Sequence, residues 1–167
     1  ALGGTTPLGE VSVTGGTMVL RSSVATENAA VTMTGAVVLD NTAGVSISSG
    51  TGKLLFAGTV DGSTAAQDPL AVTSDAVVFT GNVGYSAALG AVTLTCNTAA
   101  VNALFYTGTG CALTVNNTGL LSIADTTVAA DVATFDVVAP GGFSQTVATG
   151  SAELHGVIGT ENTALSF

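Results

Sequence analysis

Residues 54–60, Leu-Leu-Phe-Ala-Gly-Thr-Val, return 23 positions later as residues 77–83, Val-Val-Phe-Thr-Gly-Asn-Val. Both copies have apolar side chains at the first, third and seventh positions and glycine at the fifth. A period of a few tens of residues indicates structural units that bury their apolar faces only by stacking on their neighbours. We therefore predict that equivalent side chains stack in the core: Leu54 on Val77, Phe56 on Phe79, and Val60 on Val83.

A longer repeat encloses the short one. The segment Leu8-Gly-Glu-Val-Ser-Val-Thr14 returns as Leu89-Gly-Ala-Val-Thr-Leu-Thr95, and similar approach segments begin at Gly3, Gly84 and Gly159. These alignments predict three equivalent anchor positions, 81 and then 76 residues apart. The anchors are Leu8, Leu89 and Leu165. Short and long periods nested in this way are typical of a stacked array.

Short alternating segments dominate the chain. Val11 and Val13 alternate with Ser12 and Thr14, which places apolar groups on one face of a strand and hydroxyls on the other. Turn signals rich in glycine, asparagine and aspartate separate the segments. The sequence therefore predicts an all-β single domain over residues 1–167, a parallel β-helix (β-solenoid) of about seven coils, each of roughly 22 residues. A β-sandwich is the alternative fold.

Charge excludes several classes of partner. The chain has two basic residues, Arg21 and Lys53, against eleven acidic ones, for a net charge of −9. Phosphate recognition needs several lysine or arginine side chains, so nucleic acids and anionic membranes are excluded as partners. The apolar stretches are also far shorter than the roughly 20 residues of a membrane-spanning helix.

The two cysteines lie 15 positions apart, at Cys96 and Cys111. A zinc site would be short of ligands, because His155 is the only histidine. We expect a disulfide between the two, since the remaining composition resembles that of extracellular proteins. Two buried free thiols and intermolecular cross-links are the alternatives.

Catalytic signatures are missing from the sequence. A serine hydrolase would have to use His155, and no Gly-x-Ser-x-Gly elbow is present. The densest acidic group, Asp125, Asp131 and Asp136, has spacings that do not obviously converge into a carboxylate pair. We expect no enzyme activity and no cofactor, and a calcium ion at an acidic turn is the one alternative left open.

Threonine pairs raise one further hypothesis. Thr32 with Thr34, and Thr93 with Thr95, could order water on a flat solenoid face. The pairs do not recur at each coil in the sequence, which disfavours an ice-binding surface.

The segment Gly3-Gly-Thr-Thr-Pro-Leu-Gly-Glu-Val-Ser-Val-Thr-Gly-Gly16 resembles the β-strand repeats of large bacterial exoproteins and adhesins of the filamentous-haemagglutinin and autotransporter type. Residues 54–62, 77–84 and 89–95 are similar to the same units. The resemblance is clear over residues 1–95, weaker over 96–150, and returns over 157–167. It implies a β-solenoid that is secreted or displayed on the bacterial cell surface, and it carries over no catalytic residues.

These observations predict an extracellular structural protein that forms a rigid rod, fibre or surface layer. The chain begins and ends in similar repeat units, so we expect it to stack head to tail, with identical copies or with neighbouring repeats of one longer chain. The alternative is an adhesin module that binds a glycan or a host surface protein. Tyr85, Tyr106 and Phe143 are the aromatic candidates for that role.

Overall fold

The computed structural model describes residues 1–124, 136–146 and 149–167. These residues form sixteen β-strands and no helix. In chain order the strands are β1 (Val11–Leu20), β2 (Val24–Ala25), β3 (Val31–Leu39), β4 (Val45–Ser48), β5 (Lys53–Phe56), β6 (Val60–Gly62), β7 (Leu70–Phe79), β8 (Val92–Val101), β9 (Phe105–Tyr106), β10 (Leu113–Asn117), β11 (Leu120–Ile123), β12 (Val137–Val138), β13 (Phe143–Gln145), β14 (Ser151–Leu154), β15 (Ile158–Gly159) and β16 (Leu165–Ser166).

Successive turns of the chain pair in parallel along three ladders. Ladder A joins residues 11–14, 31–34, 53–56, 76–79, 98–101, 120–123 and 151–154. Ladder B joins residues 24–25, 45–48, 70–74, 92–96, 113–117, 143–145 and 165–166. Ladder C joins residues 17–20, 36–39, 60–62, 83, 105–106, 137–138 and 158–159.

The chain visits ladders A, C and B in that order on every turn, which confirms the predicted all-β parallel β-helix. Seven segments on ladder A enclose about six complete turns, one fewer than the sequence suggested. A β-sandwich is excluded for the described residues, because every pair is parallel and sandwiches are built from antiparallel sheets. Adjacent turns lie about 4.8 Å apart along the ladders.

Inward-facing side chains form continuous columns. Leu54, Phe56 and Val60 are fully buried, as are Val77, Phe79 and Val83 of the next turn. Backbone pairing places Leu54 on Val77 and Phe56 on Phe79, and an isolated bridge places Val60 on Val83. The rings of Phe56 and Phe79 stack with centroids 5.1 Å apart and planes 7° apart. The rings of Phe79 and Phe105 pack in a T-shaped arrangement, with centroids 5.4 Å apart and planes 87° apart.

Glycine marks the corner between ladders A and C for a steric reason. Gly35, Gly58 and Gly81 lie one turn above another. A Cβ on Gly81 would come within 2.4 Å of the Gly58 carbonyl group, and one on Gly58 within 2.1 Å of the Gly35 oxygen. The backbones of adjacent turns are therefore too close for any other residue, which explains the glycine at the fifth position of the short repeat.

Replacing Phe79 with alanine tests the core assignment. Removing a buried ring that packs between Phe56 and Phe105 should lower the free energy of unfolding by about 3–5 kcal/mol, measured by urea denaturation followed by circular dichroism. The adjacent Val78→Ala change removes an outward side chain and should cost less than about 1 kcal/mol. Equal losses in the two variants would contradict the inward orientation of Phe79.

Candidate functional site

Exposed apolar side chains concentrate at the two ends of the solenoid. Among the residues that the structure describes, eight large apolar side chains are exposed; seven of them lie in the first or last turn, and Tyr85 is the exception. The seven are Leu2, Val13, Val19, Leu154, Val157, Leu165 and Phe167. The two ends are therefore the main candidate surfaces for contact with another β-structure.

The first turn leaves the inward columns partly uncovered. Val13 pairs with Met33 and is 38% exposed, whereas Met33 is only 2% exposed. Met18 and Leu20 are half-buried at inward positions of ladder C, while their partners one turn on, Val37 and Leu39, are buried. This end presents an apolar surface and a set of unpaired strand edges.

The last turn has the same character. Leu154 ends ladder A in register with Ile123 and is 42% exposed, and Ile158 ends ladder C half-buried. Leu165 pairs with Phe143, and the Phe167 ring contacts Phe143 with centroids 5.5 Å apart. Apolar side chains thus close all three ladders at this end.

Two of the three repeat anchors occupy corners with the same local backbone geometry, although these are different corners of the solenoid. Leu8 bridges to Thr26 and Leu89 bridges to Thr107. Each follows a glycine with positive φ, Gly3 at 73° and Gly84 at 66°, where a Cβ would lie 2.1 Å from a carbonyl oxygen of the next turn. The corner requires glycine at both places.

The third anchor is not equivalent. Leu165 lies on β16 and stacks in one column with Phe143, Leu113 and Val92. Its structural equivalent is therefore Val92, three residues after Leu89. The long repeat also changes ladder, because Val11 lies on ladder A and its counterpart Val92 lies on ladder B. A shift of 81 residues is therefore not a whole number of turns.

The expected disulfide is wrong, since Cys96 and Cys111 are free. Leu113 pairs with Val92 and Asn117 pairs with Cys96, so Cys111 precedes this ladder and Cys96 lies at its far end. Cys111 lies six residues before Asn117, the partner of Cys96, so the two cysteines are about 20 Å apart along the strand direction. A disulfide needs Cα atoms within about 7 Å.

Cys96 belongs instead to a buried polar column at the corner between ladders B and A. Ser49 and Ser74 in this column donate to the Gly52 carbonyl at 2.9 and 3.0 Å, and Asn117 donates to the Gly119 carbonyl at 2.7 Å. These bonds satisfy carbonyl groups where the strand turns. Burial, and then the negative charge of Asp75, raises the pKa of the Cys96 thiol to about 11.

The acidic residues act as turn acceptors. Asp68 is fully buried and accepts hydrogen bonds from Asn41 N, Ser63 Oγ and Thr64 N at 2.9–3.1 Å. Arg21 forms an ion pair with Asp40 at 2.7 Å and lowers the pKa of that carboxyl group. Among the described residues no group of three potential ligands could hold a metal ion. Asp125 and Asp131 lie outside the described residues.

Neutral side chains, mostly hydroxyls, line the outside of ladder B, and the threonine pair Thr93 and Thr95 does not recur there from turn to turn. Two outward columns run over five consecutive turns, and none of their members is charged. The columns are Ser46, Ala71, Thr93, Thr114, Ser144 and Ser48, Thr73, Thr95, Asn116, Thr146. This face offers neutral hydrogen-bonding groups and no ion-pairing group to its surroundings.

The three aromatic residues that the sequence offered for ligand binding lie in two different places. Phe143 is buried in the core, so it is not available to a ligand. Tyr85 and Tyr106 lie together on the outside of ladder C, with ring centroids 6.0 Å apart.

The described residues contain no helix long and apolar enough to cross a membrane.

Thiol chemistry distinguishes the two cysteines. Ellman's reagent should label the half-buried Cys111 in the folded protein, and should label Cys96 only in denaturant, because Cys96 is buried and its thiol stays protonated. A Cys111→Ala variant should therefore show no native reactivity. Absence of reactive thiols in denaturant, without reductant, would instead indicate a disulfide.

The raised pKa of Cys96 also predicts a pH effect on stability. Between the ordinary value of 9.0 and about 11, the unfolded chain releases this proton while the folded chain retains it. The free energy of unfolding should fall as pH rises through this window, by at most about 2–3 kcal/mol. Cys96→Ser keeps a small polar group in the column without this titration. Its stability should therefore fall less between pH 9 and 11 than that of the parent protein, and identical profiles would contradict the assignment.

Comparison with protein-family models, with curated proteins and with solved structures finds no match to this chain.

Proposed function

We propose that this protein is an extracellular structural protein of the bacterial cell surface, whose solenoids stack end to end into a rigid rod, fibre or surface layer. The observation that carries the proposal is the exposure of apolar columns at both ends. Columns that are fully buried through the middle turns become 38–50% exposed at Val13, Leu154 and Leu165. A second copy is the occupant that continues these columns with the same spacing.

Matching the two ends column by column gives apolar contacts on ladders A and C. On ladder A, Ala152 and Leu154 would meet Val11 and Val13 of the next copy. On ladder C, Ile158 would meet Met18. The parallel backbone pairing of the solenoid would then continue across the junction, because the unpaired edge of a strand is a template for another strand. Burying these side chains contributes roughly 25 cal/mol per Å² of apolar surface.

Ladder B sets the geometry of the junction. Leu2 already bridges to Val24 ahead of the first ladder-A strand, and β16 already pairs with β13 after the last one. If ladders A and C continue without a gap, the segment around Leu2 of one copy and β16 of the other would occupy the same place on ladder B. One of them must be displaced, and β16 is held by a two-residue pairing. Assembly therefore costs one short strand pairing at each junction.

Composition supports an extracellular location. With only two basic residues, the chain offers few sites to trypsin-like proteases, and continuous ladder bonding protects the backbone. The net charge of −9 keeps separate copies apart at low ionic strength. Salt should screen this repulsion and favour stacking, because the apolar contacts at the ends do not depend on charge.

Changing Leu154 to lysine tests the proposed junction. An unpaired charge buried against the next copy should abolish end-to-end assembly. Sedimentation velocity and electron microscopy over a concentration series should show filaments for the parent protein in moderate salt, and single short rods for the variant.

Ser122→Lys is the matched control, since it adds the same charge on the outward side of ladder A, one residue before Ile123. This variant should assemble as the parent does. If the parent protein remains a single rod at every concentration and salt level, self-stacking is overturned. Equal loss in both variants would place the contact on the side of the solenoid.

A further inference from the structure

A recess opens on the outside of ladder C, midway along the solenoid. Val60 bridges to Val83 and Val83 to Phe105, so the residues that follow them, Asp61, Gly84 and Tyr106, occupy successive turns at one outward position. In the middle, Gly84 has positive φ, and a Cβ there would point at the Tyr106 carbonyl oxygen, 2.1 Å away, so this turn adds no side chain between Asp61 and Tyr106. The recess has a volume of about 480 Å³ and is lined by Gly84, Tyr85, Ala88, Tyr106 and Thr107.

Two aromatic rings form the walls of this recess. The Tyr85 and Tyr106 rings are tilted by 57°, so they diverge from one another instead of stacking. Tyr85 is 63% exposed, and it is the one exposed large apolar side chain of the described residues that lies away from the two ends. Its loop is fixed from below, because Asp61 Oδ1 accepts hydrogen bonds from Ser86 N at 2.9 Å and Ala87 N at 3.4 Å.

The electrostatic environment of the recess is negative. Asp61 lies one turn, about 4.8 Å along the ladder, from Gly84. Burial, then the Tyr85 side chain, then the charge of Asp136 raise the pKa of Tyr106. The two basic residues of the chain are elsewhere, since Arg21 pairs with Asp40 and Lys53 lies on ladder A. The faces of the two rings add negative potential of their own.

We propose that this recess binds a small organic cation of the quaternary or methylated ammonium class. Two diverging aromatic faces let one cation lie within about 6 Å of both ring centroids, which is the range of a cation–π interaction. The Asp61 carboxylate, which holds the Tyr85 loop from the neighbouring turn, supplies negative charge close to the recess. An anionic ligand is excluded by the carboxylates, and the aromatic walls favour a weakly hydrated cation over a metal ion.

The two tyrosines provide a direct readout, because they are the only tyrosines in the chain and tryptophan is absent. Titration with choline at constant ionic strength should change tyrosine fluorescence and saturate. The uncharged analogue 3,3-dimethylbutan-1-ol has nearly the same shape and should bind at least tenfold more weakly. Saturation-transfer NMR on the choline methyl protons gives a second readout that does not depend on fluorescence.

Tyr85→Leu and Asp61→Asn should each weaken choline binding by about fivefold. Both changes are compatible with folding, because Tyr85 is exposed and the amide oxygen introduced by Asp61→Asn can still accept the loop hydrogen bonds. Asp75→Asn removes the same charge at an exposed position on β7 and should leave binding unchanged. Equal binding of the neutral analogue, tighter binding of a neutral glycoside, an equal effect of Asp75→Asn, or no saturable binding would each overturn the proposal.

Discussion

Register between successive turns is the constraint on which the rest of this structure depends. Parallel backbone bonds fix each turn against the next, so a given position always stacks on its own equivalent. Leu54 on Val77 and Phe56 on Phe79 are consequences of that register. A slip of one residue would turn every inward side chain outward. The core of this protein is therefore a set of linear columns, each only as stable as the turns on both sides of it.

The same constraint sets what each corner must contain. Between ladders A and C, the backbones of adjacent turns lie so close together that only glycine fits at Gly58 and Gly81. Between ladders B and A, the chain turns inward, and Ser49, Ser74 and Asn117 satisfy carbonyl groups there. Cys96 occupies this polar column as an uncharged thiol. The other cysteine, Cys111, lies too far from it along the strand direction to form a disulfide bond.

Outward positions and ends are free of this constraint, and both proposals concern them. Along the sides, the solenoid repeats side chains at fixed spacing, as in the neutral hydroxyl columns of ladder B. The glycine between Asp61 and Tyr106 lines the tyrosine recess. At the ends the inward columns stop without cover. Both proposals rest on these two places, the tyrosine recess and the terminal turns.

The sequence by itself determined the all-β solenoid and the stacked core, because residues 54–60 and 77–83 carry the period of one turn almost unchanged. It did not determine the relation between Leu165 and the other anchors, the separation of the cysteines, or the neutral columns on the outside of ladder B. Successive inward residues of ladder A, from Val11 to Ala152, are 20, 23, 23, 22, 22 and 31 positions apart. Unequal turns hide a spatial column from any fixed sequence period. Only the tertiary structure decided which residues share a face, because the ladder bonds align strands and leave the connecting corners free to vary in length.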